Sequence, residues 1–118
     1  MTDSTRRLVL FLMLILGLFV QCSMAQTLTL QFERANELYR SGSFDQAAEA
    51  YEAILREGVA SPELYFNLGN TYYRLGRIAP TILAYERARR LAPGAPEIRH
   101  NLDLANLKTL DRIEALPE

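Results

Sequence analysis

Tryptophan is absent from this chain, and cysteine (Cys22) and histidine (His100) occur once each. Zinc and related metal centres draw on several such ligands at short spacing, so a site of that kind is excluded, as is an internal disulfide framework. A nucleophile, a base and an orienting group cannot be assembled around His100 on any recognisable spacing, and a lone helical histidine reads as a surface or packing residue. Glycine is sparse and scattered: Gly42, Gly58, Gly69, Gly76 and Gly94 are spaced as turns and packing contacts, and no Gly-rich phosphate loop exists. Charge of one sign is missing too. Thirteen Lys and Arg against fourteen Asp and Glu give a net charge of -1, so no global field draws in nucleic acid. The arginines lie within a turn of carboxylates, as Arg34 with Glu37 and Arg87 with Glu86, which is the pattern of solvated helix faces; Glu49 and Glu52 read as a surface pair for the same reason. The expectation is a protein that is not an enzyme and uses no cofactor or metal.

What is present begins with an export-type segment. Arg6 and Arg7 precede an uncharged apolar run from Leu8 to Val20, and a short polar stretch ends in Ser23, Met24, Ala25. Small residues at the first and third positions before a cut fit cleavage after Ala25. The run is about 13 residues, roughly 20 Å as a helix against a hydrocarbon core of about 30 Å, which disfavours a permanent span. Residues 1–25 are therefore read as a cleavable signal and the product as exported, with a periplasmic location. Two alternatives stay open: an uncleaved signal as anchor, and lipid on Cys22, although Gln21 stands where lipoprotein processing prefers a small residue.

The remainder overlays on itself when shifted by 34 residues. Asn36 falls on Asn70, Tyr39 on Tyr73, Arg40 on Arg74, Gly42 on Gly76, and Ala50-Tyr51-Glu52 on Ala84-Tyr85-Glu86. Pro62 and Glu63 fall on Pro96 and Glu97, and Asn67 and Leu68 on Asn101 and Leu102, so a partial third copy begins near Pro96. Strand alternation is lacking, and apolar positions recur at helical spacing. Five helices fit. The first, about 28–41, carries Phe32, Ala35, Leu38 and Tyr39 inward and stops at Gly42, which suits a left-handed cap. Ser43 is the expected N-cap of the second, 44–57, with Ala47, Ala48, Tyr51, Ile54 and Leu55 inward. The third opens at Ser61 and Pro62 and runs to Gly76. Pro80 falls in the first turn of the fourth, 78–91, where a proline initiates rather than interrupts. Pro93, Gly94 and Pro96 punctuate before a fifth, about 95–110.

At these positions the sequence resembles the tetratricopeptide repeat family. The second copy matches best, with Tyr65, Leu68, Gly69, Tyr72, Tyr85, Ala88 and Pro93; the first departs at Ile54 and Val59. Thr81 stands where alanine is usual, leaving two outcomes: a slightly spread hairpin, or a hydroxyl bonded to a carbonyl one turn back. The fold expected is all-α, a short solenoid of two helical hairpins and a C-terminal capping helix. The domain would span residues 26–110, with repeats at about 28–61 and 62–95, a partial copy at 96–110, and a tail at 111–118. The run from Ser61 to Glu118 also resembles the tetratricopeptide member of the aerotolerance-operon Bat proteins, the BatE type. That resemblance implies an envelope assembly or stress-related scaffold.

In this repeat the first helix of each pair lines the concave side. The register places Phe32, Asn36, Tyr39 and Arg40 there in copy one, Phe66, Asn70, Tyr73 and Arg74 in copy two, and His100, Leu104 and Lys108 in the partial copy. Two copies thus present the same ladder of aromatic, amide, aromatic and arginine. The amides suit pairing to an extended peptide backbone, and the arginines suit carboxylates. The chaperone-tail clamp of some family members is not matched at Phe32, Glu97 and Asn101. The leading expectation is an exported scaffold that binds envelope proteins or peptides through this face, with peripheral membrane association and self-association left open. The alternative is a structural subunit assembled through exposed hairpin edges.

Overall fold

The computed structural model describes residues 2–114, the side chains of 19–23 and 113–114 lying outside the description. The described residues form five helices and no strand: α1 (Asp3–Arg40), α2 (Phe44–Arg56), α3 (Pro62–Arg74), α4 (Ile78–Leu91) and α5 (Pro96–Glu114). Residues 115–118 of the expected tail lie outside the described residues. The chain divides into two compact units, Met1–Gln31 and Phe32–Glu118.

In the first unit α1 begins at Asp3, far ahead of the expected start near Leu28. The reason is the lack of a breaker. The first proline of the chain is Pro62, and Gly17 costs a helix only about 1 kcal/mol. Asp3 in the first turn complements the helix dipole and accepts from Arg7 Nη2 at 3.0 Å. Leu8, Phe11, Leu14 and Leu18 stand exposed. Among the described residues, no helix is long and apolar enough to cross a membrane.

The second unit holds the repeats. Its two first-of-pair helices end alike: Gly42 N–H donates to Tyr39 and Ser43 N–H to Leu38, while Gly76 N–H donates to Tyr73 and Arg77 N–H to Tyr72. This double bond pattern needs a left-handed residue after the helix, and Gly42 and Gly76 supply it with φ of 79° and 72°. Ser61 caps α3 as expected, its hydroxyl accepting from Leu64 N–H at 3.0 Å, ahead of Pro62. Ser43 precedes α2 but makes no side-chain cap bond. With its N–H drawn into the preceding turn, its hydroxyl instead accepts from Ser41 Oγ at 3.3 Å. Helix α5 continues past Leu110 to Glu114, because no glycine or proline intervenes.

Among the described residues the buried apolar set begins at Ala35, so the second unit has a core of its own. Ala47, Ala48, Tyr51 and Ile54 fill copy one; Leu64, Leu68, Ala84, Tyr85 and Ala88 fill copy two; Ile98, Leu102 and Ala105 bring α5 onto α4. Small residues set the approach of the helices. A Cβ built on Gly69 would lie 2.5 Å from Tyr85 Cε1, so only glycine admits the ring at this distance. Thr81 takes the second of its two outcomes: fully buried, it donates to the Arg77 carbonyl at 2.7 Å, and Thr71 does the same to Asn67.

Surface pairing differs in detail from the sequence expectation. Glu37 pairs with Arg40 and not Arg34, and Glu86 with Arg89 and not Arg87. Glu placed N-terminal to Arg is the better helical order, and neighbours one apart point to different faces. Glu52 is not a plain surface acid, since it accepts from the Tyr72 hydroxyl at 2.6 Å.

A candidate binding groove on the first helices

Asn36 on α1 accepts two hydrogen bonds at one atom. Its Oδ1 takes the Tyr51 hydroxyl at 2.7 Å and Asn67 Nδ2 at 3.2 Å. Asn70 on α3 repeats this one copy later, with the Tyr85 hydroxyl at 2.6 Å and Asn101 Nδ2 at 3.0 Å. Sequence separations of 15 and 31 residues recur in both. Each asparagine thus ties three helices: its own, the second of its hairpin, and the first of the next copy. Two donors converging on one oxygen fix the amide's orientation. Burial pushes the Tyr51 and Tyr85 hydroxyls up to about 12, so both remain protonated donors at neutral pH.

The consequence for binding is an asymmetry. The asparagine oxygens are saturated from within, while among the described residues neither Asn36 Nδ2 nor Asn70 Nδ2 has an acceptor. Asn36 and Asn70 can therefore donate to a ligand and not accept, while Asn67 and Asn101, whose Nδ2 groups are used, keep their oxygens as acceptors. Two depressions border them. The first, of about 140 Å³, is lined by Asn36, Tyr39, Arg40, Tyr51, Asn67 and Asn70. The second, of about 100 Å³, is lined by Tyr39, Asn70, Tyr73, Arg74, Tyr85, Asn101 and Leu104. They share Tyr39 and Asn70, and so follow one another along α1, α3 and α5.

Of the residues expected on this face, Asn36, Tyr39, Arg40, Asn70, Tyr73, Arg74 and Leu104 line one depression or both. Phe32 and Phe66 line neither. They pack against the buried tyrosines, Phe32 edge-on to Tyr51 at 6.0 Å and Phe66 tilted to Tyr85 at 5.9 Å. His100 is exposed and borders neither depression, and Lys108 sits over the Tyr73 ring at 4.5 Å. The guanidiniums have neighbours: Arg40 Nη2 lies 3.0 Å from Glu37 Oε2 in an exposed pair, and Arg74 stacks 4.6 Å above Phe44, itself edge-on to Tyr39 at 5.3 Å. A stacked guanidinium keeps its edge N–H groups available to an anion, so Arg74 is the better placed of the two.

Asn67, Asn101, Tyr51 and Tyr85 were not foreseen as walls of this face. The signal was present, since the 34-residue shift also relates Asn67 to Asn101 and Tyr51 to Tyr85. Among the described residues, no group of three His, Cys, Asp or Glu side chains could hold a metal ion.

Residues 32–96, more than half of the chain, match the tetratricopeptide repeat family. No curated protein matches the sequence.

Proposed function

The chain belongs to the tetratricopeptide repeat family, and we propose that it is a binding scaffold whose concave face takes an extended, carboxylate-bearing segment of a cell-envelope protein. Repeats of this kind serve protein–protein interaction and are generally not catalytic. The observation that carries the reading is the pair of consecutive depressions one repeat apart. Each offers an asparagine Nδ2 donor whose own oxygen is already satisfied, and each has a guanidinium beside it. A ligand rich in acceptors, its backbone carbonyls spaced along an extended chain and its carboxylates alternating, complements that pattern.

The envelope setting is supported by Arg6 and Arg7, the apolar run that follows and the Ser23–Ala25 cut site. The BatE-type resemblance supports an assembly or stress role there. N-terminal sequencing of protein recovered from the envelope tests this part: a chain starting at Gln26 is expected, and one starting at a lipid-bearing Cys22 would refute cleavage after Ala25. The binding reading is tested by crosslinking in the envelope, then titrating the crosslinked partner segment against wild type and the Arg40→Ala/Arg74→Ala variant. Exposed ion pairs contribute about 0 to 1 kcal/mol each, so for the two arginines together a loss of up to about thirtyfold is expected, smaller at high salt. Equal binding by both proteins at low salt would remove the guanidiniums from the site.

A further inference from the structure

Helices α2 and α4 both lie on α3, and between them runs a groove of about 300 Å³ on the side away from the asparagines. Leu55 and Leu68 are among its apolar lining, and Leu83, 53% exposed, stands at its wall. Arg56 and Arg87 come to it from α2 and α4. Its one carboxylate, Glu52, is already occupied by the Tyr72 hydroxyl at 2.6 Å and Arg56 at 3.8 Å. Arg87 rests over Tyr65 at 5.7 Å and makes no ion pair among the described residues, so the groove is apolar with a cation to spare.

The outer face of α5 is its complement. Leu104, Leu107 and Leu110 are 42%, 57% and 56% exposed, and at 100° per residue they make one stripe centred on Leu107. Asp103 and Asp111 fall within that stripe, about 12 Å apart along the axis, and neither has an ion-pair partner among the described residues. Asp103 occupies the register position of Gly69, where even a Cβ would collide with the facing tyrosine. A helix carrying such a tyrosine would therefore not close on α5 as α4 closes on α3. A symmetric pairing of two stripes about Leu107 would set Asp103 against Asp111 of the other copy, which is repulsive.

We propose that copies of this chain join head to tail, the α5 stripe of one lying in the α2–α4 groove of the next. Leucines of the stripe fill the apolar floor, one aspartate meets Arg87, and the other meets the exposed side of Arg56, whose contact with Glu52 is long at 3.8 Å. The joint is heterologous, so it propagates into chains or closes into rings. It lies apart from the asparagine depressions except at Leu104, and stands whether or not those bind a peptide.

The test is sedimentation velocity over a concentration series on residues 26–118, which contain the whole buried core of the second unit. Two variants are made at exposed positions: a groove variant, Leu83→Asp/Arg87→Glu, and a stripe variant, Leu107→Asp/Leu110→Asp, both acidic so that the two altered surfaces repel each other. Wild type is expected to sediment faster with concentration, past a dimer, and less so as salt rises. Each variant alone stays at the monomer value. Mixed, they climb to a dimer and stop there, because one intact groove and one intact stripe remain between them. Recovery on mixing is a result that misfolded variants cannot give. If circular dichroism shows either variant unfolded, Arg87→Gln and Asp103→Asn replace them in the same design. A wild type that stays monomeric, one that stops at a dimer, or folded variants that fail to pair on mixing would overturn the proposal.

Discussion

Gly69→Ala is the smallest change that interrogates how the second hairpin closes. The added methyl would sit 2.5 Å from Tyr85 Cε1 and 2.6 Å from Cδ1, distances that real Cβ contacts do not show. The ring cannot step back freely: Leu102, Ala105 and Phe66 pack around it, and its hydroxyl is held at 2.6 Å by Asn70 Oδ1. Overpacking of this kind costs about 1–3 kcal/mol, and the restraint on both ends of the ring puts it in the upper part of that range. Against it stands the helix preference for alanine over glycine, about 0.8–1.0 kcal/mol. The net expectation is a loss of about 1–2 kcal/mol, a substantial fraction of what so small a domain possesses. Urea melts of the folded domain measure it, with Gly94→Ala as control, since nothing lies within 4 Å of a Cβ there and its φ is not positive. Placed in a Tyr85→Leu background, the same Gly69→Ala change should lose part of its cost, because Cε1 is gone and a leucine methyl can turn away where a fixed ring cannot. If Gly69→Ala matches Gly94→Ala in the wild-type background, the close approach of α3 and α4 described above is wrong.

Leu68→Ala is expected to cost on the order of 2–5 kcal/mol in the same melts, as a buried leucine in a core of few large side chains; a loss below about 1 kcal/mol would contradict the register. Alkaline unfolding should expose the tyrosine bridges. Burial raises Tyr51 and Tyr85 from the usual 10.0 to about 12, so the folded chain holds protons that the unfolded chain releases, and the stability they confer is intact below pH 10 and lost as pH climbs from 10 through 12. At about 1.4 kcal/mol per unit, each contributes roughly 2–3 kcal/mol to that fall. Melting midpoints against pH check it, and Tyr51→Phe/Tyr85→Phe should flatten the descent between pH 10 and 12.

The repeat period, the helix ends at Gly42, Ser61, Gly76 and Leu91, and most of the inward-facing residues were legible because each rests on a local rule: a left-handed cap, a proline in a first turn, an apolar stripe at helical spacing. The continuous α1 was not, because the sequence suggests a boundary by function, at a cut site, while helix propagation responds only to glycine and proline. That Phe32 and Phe66, expected on the first-helix face, line neither depression has a related reason. Register assigns a residue to the first helix of a pair, but a large ring near the seam turns toward whichever buried neighbour offers area, here Tyr51 and Tyr85. The asparagine bridges were hidden because they join residues 15 and 31 apart, beyond any local pattern, although the shift that revealed the repeat already paired every partner with its copy.

Those bridges change how the groove must be probed. Asn36→Ala or Asn70→Ala removes a donor from the groove, and it also strips the buried Tyr51 or Tyr85 hydroxyl of its acceptor and unties the next copy. Leaving such a hydroxyl unsatisfied costs about 1–3 kcal/mol, so weaker binding by these variants reports on folding as much as on recognition. Pairing each with Tyr→Phe separates the two. In Tyr85→Phe the Asn70 Nδ2 donor is kept and only the bridge is cut, so a peptide that reads the donor should bind it nearly as well as wild type. In Tyr85→Phe/Asn70→Ala no tyrosine hydroxyl is stranded, but the Asn101 bond is still lost, so a further loss of affinity belongs to the Asn70 donor where the melting curve shows no further loss of stability. Isothermal titration of the crosslinked partner segment against both, each checked by its melting curve, makes the comparison. A double variant that binds no more weakly than Tyr85→Phe alone would mean that Asn70 holds the repeats together and takes no part in recognition.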